Sequence, residues 1–147
     1  MEIKKIEVPQ LNKVLFDTFT GDNKLFEYFD PSVKVYTLED IVDNIEKKIS
    51  DYISIFKEVI IFSVINKNKT VGYFIYNNKM LISFGLNIKY RTKKTALLFF
   101  NLVKREIGSN FYCTLYSINT RAINWLIKMG LKIEANNLLT TKLIQCQ

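Results

Sequence analysis

Histidine is absent from the 147 residues. Its absence removes Ser-His-Asp and Cys-His nucleophilic catalysis, and with Cys113 and Cys146 as the only thiols no metal site is expected. The two cysteines are far apart, so a disulfide framework is not expected either. Proline occurs only at 9 and 31 and glycine only five times. No Pro/Gly-rich linker divides the chain, which reads as one domain over residues 1–147. Long uncharged apolar runs are missing, so no membrane partner is expected. The opening Met-Glu-Ile-Lys-Lys-Ile-Glu lacks a signal-peptide apolar stretch, which makes a cytoplasmic location the default.

Acids are scarce in one part of the chain. Residues 59–147 hold Glu106 and Glu134 against thirteen Lys and Arg, whereas residues 1–58 hold twelve acids and eight bases. The net charge of +7 thus resides in the C-terminal part, which suits a polyanion, either a phosphorylated cofactor or nucleic acid. Against nucleic acid, the basic residues are scattered over several elements and carry no base-stacking motif.

What the chain does have is apolar content. Hydrophobic residues make up 48% and aromatics 14%, enough for a folded core. Residues 2–8 read as a first strand. Pro9 then opens a helix carrying Leu11, Val14, Leu15 and Phe19, which Gly21 ends. An aromatic loop (Phe26, Tyr28, Phe29, Tyr36) follows, suited to filling space between helices or to lining an acceptor site. Thr37-Leu38-Glu39-Asp40 is a capping box, and Ile41, Ile45, Ile49, Ile53 and Phe56 form one apolar stripe, predicting a helix over 38–56. Three strands in a meander are expected at 59–65, 70–76 and 79–88. A helix over 95–107, apolar nearly all round and therefore expected to be buried on most sides, ends at Gly108. A strand at 111–116, a helix from Asn119 to Met129 and closing strands at 131–134 and 138–144 complete an α+β chain of order β-α-α-β-β-β-α-β-α-β-β. The last strand reads as an edge able to pair with another copy.

Residues 79–103 form the organising unit: a strand, the basic loop Lys89-Tyr90-Arg91-Thr92-Lys93-Lys94, and a helix opened by Thr95-Ala96. Unpaired N–H groups and the positive dipole end at such a helix start suit a phosphate. A plain crossover with a solvated basic turn fits the same text.

Two motifs add a resemblance. Leu86-Asn87-Ile88-Lys89-Tyr90-Arg91-Thr92-Lys93-Lys94-Thr95-Ala96-Leu97-Leu98 is similar to the [Arg/Gln]-x-x-Gly-x-[Gly/Ala] segment of the GCN5-related N-acetyltransferase (GNAT) superfamily, with Lys94 at the first glycine. Asn119-Thr120-Arg121-Ala122-Ile123-Asn124-Trp125-Leu126-Ile127-Lys128-Met129-Gly130-Leu131 resembles the family's Asn-x-x-Ala-x-x-x-Tyr-x-x-x-Gly-Phe segment, with Leu126 at the tyrosine that commonly protonates the leaving thiolate. The resemblance implies a mixed central sheet splayed between strands 79–88 and 111–117, with acetyl-CoA or another acyl-CoA in the cleft and an amine as acceptor. It implies pantetheine contacts from Leu86 and Ile88, and a phosphate cradle from Arg91, Thr92, Lys93, Lys94, Thr95 and Ala96. Asn119 would face the thiol end, and the Leu86 N–H would meet the oxyanion. Tyr116 is the remaining candidate for proton transfer.

Two functions follow from the resemblance. One is an acyl-CoA-dependent N-acyltransferase with a degenerate pyrophosphate loop. The alternative is a catalytically inactive GNAT-fold protein that meets other protein subunits as a structural component, as in a phage virion; the Lys-, Asn- and Ile-rich composition fits an AT-rich genome such as a phage's. In that case Phe84 or Tyr112 should fill the cleft.

Overall fold

A computed structural model of the chain describes residues 1–145; Cys146 and Gln147 lie outside the described residues. Among the described residues seven strands form one sheet: β1 (Glu2–Ile6), β2 (Ile60–Asn66), β3 (Lys69–Asn77), β4 (Met80–Leu86), β5 (Phe111–Tyr116), β6 (Lys132–Asn136) and β7 (Thr140–Gln145). Their spatial order is β1-β2-β3-β4-β5-β7-β6. Every neighbouring pair is antiparallel except β4 and β5. The α+β reading therefore holds.

Helices cover both faces. On one face, α1 (Val8–Phe19) and α3 (Leu38–Phe56) bury Leu11, Leu15, Ile41, Ile45 and Ile49 against Ile61, Tyr73 and Ile75. On the other, α4 (Lys93–Ile107) and α5 (Thr120–Lys128) bury Phe99, Phe100, Val103 and Leu126 against Phe74, Leu81 and Leu143. Each such side chain contributes about 1.5–3 kcal/mol of transfer free energy. The α3 stripe forms as the spacing predicts, and its capping box closes: the Asp40 N–H donates to Thr37 Oγ1 at 3.1 Å, and the Thr37 N–H donates to Asp40 Oδ2 at 3.1 Å.

Several expectations change. A short helix, α2 (Leu25–Tyr28), interrupts the aromatic loop. The strand read as 79–88 stops at Leu86, because the Asn87 side chain turns the chain: its Oδ1 accepts the Lys89 N–H at 3.0 Å, while its Nδ2 donates to Asp17 O at 2.9 Å. Ile88 consequently lies in a 3₁₀ turn, Ile88–Tyr90. Helix α4 begins at Lys93, not Thr95, with the Thr92 hydroxyl as cap, so Lys93 and Lys94 belong to its first turn. That helix packs with one side on the sheet, leaving Leu97 and Leu98 about half exposed, so it is not buried on most sides. The closing strand is not an edge: β7 inserts between β5 and β6, and the edge at that end of the sheet is β6, with β1 at the other.

One close approach positions the site. A methyl group on residue 85 would lie 2.9 Å from Thr18 Cγ2, 3.0 Å from Tyr73 Cε1 and 3.1 Å from Phe19 Cε1. Only glycine lets the end of α1 press this tightly on β4. The chain leaving α1 is thereby delivered to the end of that strand. No helix among the described residues is long and apolar enough to cross a membrane.

Candidate active site

β4 is held by β3 and β5 by β7, but the two meet each other only at the pair Met80↔Tyr112, where the Tyr112 N–H donates to Lys79 O at 2.9 Å. Beyond that pair the sheet opens. Antiparallel pairing alternates the direction of backbone groups along a strand. The Asn87 N–H donates to Val71 O at 2.7 Å, toward β3, so the N–H and C=O of Leu86 face the opening. Arg91 takes that carbonyl, its Nε donating to Leu86 O at 2.8 Å.

A cavity of about 220 Å³ lies at the end of β4, lined by residues from both faces of the sheet. From the α1 side come Phe19, Leu25 and Tyr28; from β4 come Phe84, Gly85 and Leu86. Ala96 and Phe99 of α4, with Asn119, Arg121, Ala122 and Trp125 around α5, close the other side together with Arg91. Phe84 lies tilted against Trp125 with ring centres 5.8 Å apart, and Trp125 meets Phe99 at 6.0 Å. These rings wall the cavity. Tyr112 turns to Lys142, whose Nζ lies 4.6 Å from its ring centre.

The charged wall is built on Asp22, whose side chain is fully buried. Arg121 grips it through Nη1 to Oδ1 at 3.0 Å and Nη2 to Oδ2 at 2.8 Å, and Arg91 adds Nη2 to Oδ2 at 2.8 Å. Burial alone would raise the Asp22 carboxyl, but hydrogen bonds and charge from the two guanidiniums outweigh it and hold the group below the usual carboxylate range. Arg121 also lies over the Tyr28 ring at 4.7 Å, a cation–π contact that fixes its plane.

Among the expected site residues, Leu86, Arg91, Ala96 and Asn119 line the cavity. Asn119 spends its Oδ1 on capping α5, accepting the Ala122 N–H at 3.2 Å. Thr92, Lys93, Lys94 and Thr95 form the start of α4, with Thr92 Oγ1 accepting from Thr95 N–H at 3.3 Å. Ile88 is 41% exposed. Tyr116 sits elsewhere: its O–H donates to Asp30 Oδ2 at 2.8 Å, and Lys48 Nζ donates to it at 3.1 Å while pairing with Asp30 at 3.0 Å. Desolvation, and the bond to Asp30, push its hydroxyl above the ordinary range despite Lys48. Leu126 is fully buried in the α4/α5 core, and its neighbour Trp125 faces the cavity instead. Of the aromatic-loop rings read as able to line an acceptor site, Tyr28 reaches the cavity, whereas Asp22, Arg121 and Trp125 carry no sequence signal for the site. Arg121 lies two residues after Asn119, but no sequence spacing links it to Asp22.

No family model matches the sequence, and no curated protein sequence matches it. Solved structures do. The PaiA N-acetyltransferase of Thermoplasma acidophilum, in complex with coenzyme A, superposes with TM-score 0.64 at 15% identity over 99% of this chain and 98% of its own. The microcin C7 self-immunity acetyltransferase MccE, in complex with acetyl-CoA and AMP, gives 0.62 at 15% identity over 99% and 93%. An aminoglycoside 6′-acetyltransferase type Ii gives 0.61 at 14% identity over 99% and 96%. The chain has the fold of the GCN5-related N-acetyltransferases.

Proposed function

We propose that the chain is an acyl-CoA-dependent N-acyltransferase acting on an amine, with an altered phosphate loop. The observation that carries this reading is the opening between β4 and β5, faced by the Leu86 N–H and ending at the start of α4. Two structural neighbours solved with coenzyme A and acetyl-CoA support it.

The first turn of α4 adds to the support. Lys93 and Lys94 sit there with no acid in that turn. Cations at a helix N-terminus oppose the dipole at about 0.3–1 kcal/mol each, a local cost that a bound pyrophosphate would reverse. Lys94 keeps phosphate farther from the backbone than glycine would, and offers an ammonium instead. The Leu86 N–H is aimed to stabilise the oxygen of the thioester as negative charge develops on it. With Leu86 O held by Arg91, the pantetheine arm pairs through the N–H side of the strand.

The acceptor nitrogen forms the new C–N bond as the C–S bond breaks, and the proton released by the amine ends on the thiolate. Among the described residues no carboxylate lines the cavity, and the chain has no histidine, so the amine enters already neutral and water relays the proton. Tyr116, bonded to Asp30 and Lys48, has a structural part in this scheme. The test is release of free thiol from acetyl-CoA on adding a panel of primary amines, with acylated product detected by mass. Amine-dependent release is expected; acetyl-CoA binding with no product from any amine class would overturn the reading.

A further inference from the structure

The cavity carries an excess of positive charge. Its polar wall is Arg91, Asn119 and Arg121, and no acid is among the lining residues, because Asp22 lies buried behind the two guanidiniums. Two cations on one carboxylate leave one charge unbalanced. Both arginine side chains keep about a third of their surface, 29% and 31%. Arg121 gives one hydrogen each from Nη1 and Nη2 to Asp22, leaving its Nε–H and a second hydrogen on each terminal nitrogen. Its plane is set by Asp22 and Tyr28. The rest of the wall is apolar and aromatic, and the volume of about 220 Å³ falls below the roughly 300–1,000 Å³ of sites for drug-sized ligands.

We propose that Arg121, held by Asp22 beside Tyr28, reads the carboxylate of the acyl acceptor, a small apolar or aromatic amino acid. The assignment rests on the acyl-transfer reading given above. A planar guanidinium with parallel donors matches a carboxylate, while Phe84, Phe99 and Trp125 suit an apolar side chain. A polyamine or an aminoglycoside meets two arginines and no acid in this cavity, so like-charge repulsion rejects it.

The test is calorimetric binding of N-acetyl-L-phenylalanine, the product of such an acceptor, to the full chain, beside its carboxamide and spermidine. Binding of the acid is expected, weakened at least tenfold for the carboxamide and for Arg121→Gln, with Arg121→Lys intermediate. Circular dichroism checks the fold of each variant; should Arg121→Gln not fold, Arg121→Lys and the acid–amide comparison on the unaltered chain decide. Equal binding of acid and amide, or preference for spermidine, overturns the proposal. Acetyl-CoA is titrated in parallel. If acetyl-CoA binds and the acid does not, the acceptor assignment alone falls. If the acid binds and acetyl-CoA does not, the acyl-transfer reading falls and the carboxylate site stands.

Discussion

Arg91 closes a hydrogen bond to the carbonyl of Leu86 at 2.8 Å, and so occupies the backbone acceptor at the mouth of the opening between β4 and β5. The same side chain holds Asp22, which ties the segment after α1 to the loop before α4. Arg91 is therefore bound to the protein on two sides. That differs from the expectation of a side chain offered to phosphate.

Replacing Arg91 separates these parts. Arg91→Met keeps bulk, leaves Asp22 paired with Arg121 alone, and removes two charge-assisted hydrogen bonds. A stability loss of about 1.5–3 kcal/mol is expected, read by urea unfolding. Acetyl-CoA affinity should fall less than on neutralising both Lys93 and Lys94, because Leu86 O becomes free for the pantetheine arm. A larger affinity loss for Arg91→Met than for that pair would place Arg91 on the phosphates.

Gly85→Ala tests the contact that sets α1 on β4. The added methyl meets Thr18, Tyr73 and Phe19 at 2.9–3.1 Å, all within the packed core. Overpacking of about 1–3 kcal/mol is expected, with weaker acetyl-CoA binding as Phe19 shifts in the cavity wall. An unchanged melting temperature would contradict the packing described.

Acid should unfold the protein through two carboxylates. Asp30 is subject to desolvation, which would raise it, but its bonds from Ser32, Tyr116 and Lys48 bring it down to about 2, and Asp22 is lowered by its arginines. A depressed native value means stability present above the unfolded value and lost as pH falls through the native one. The melting temperature should hold above about pH 5 and drop between about pH 4 and 2. Asp30→Asn should lower the plateau and flatten the drop. A profile identical to that of the unaltered protein would remove Asp30 from the account.

Tyr116→Phe distinguishes a structural from a chemical part for that phenol. It removes a hydrogen bond to the charged Asp30 and should cost about 1.5–3 kcal/mol of stability. The pH dependence of kcat/KM should still follow the acceptor amine. Loss of the alkaline limb in the variant would return Tyr116 to proton transfer.

The elements that were legible in the sequence are those with local causes. Thr37 and Asp40 cap α3 through bonds between neighbours in the chain, and the stripe Ile41, Ile45, Ile49 needs only helical period. The resemblance in residues 86–98 and 119–131 led to the right fold, and the splay of the sheet followed from it. The ends of β4 and α4 were displaced because Asn87 and Thr92 act as caps through side-chain bonds that strand and helix propensity do not register. The charged wall of the cavity was not legible. Asp22 meets Arg91 and Arg121 across 69 and 99 residues, and no periodicity records a contact made between two loops and the first turn of α5. Tyr116 is a polar residue on the strand facing β4, and only the tertiary arrangement brings Asp30 and Lys48 to its hydroxyl. The position of β7 inside the sheet likewise depends on how the last hairpin folds back, which strand composition does not reveal.

The most direct test of the account is calorimetric titration of the purified chain with acetyl-CoA at modest ionic strength, repeated on Lys93→Gln/Lys94→Gln. The predicted result is binding in the micromolar range that weakens about tenfold or more in the double variant and with added salt. No heat and no thermal stabilisation at millimolar acetyl-CoA would contradict the central claim.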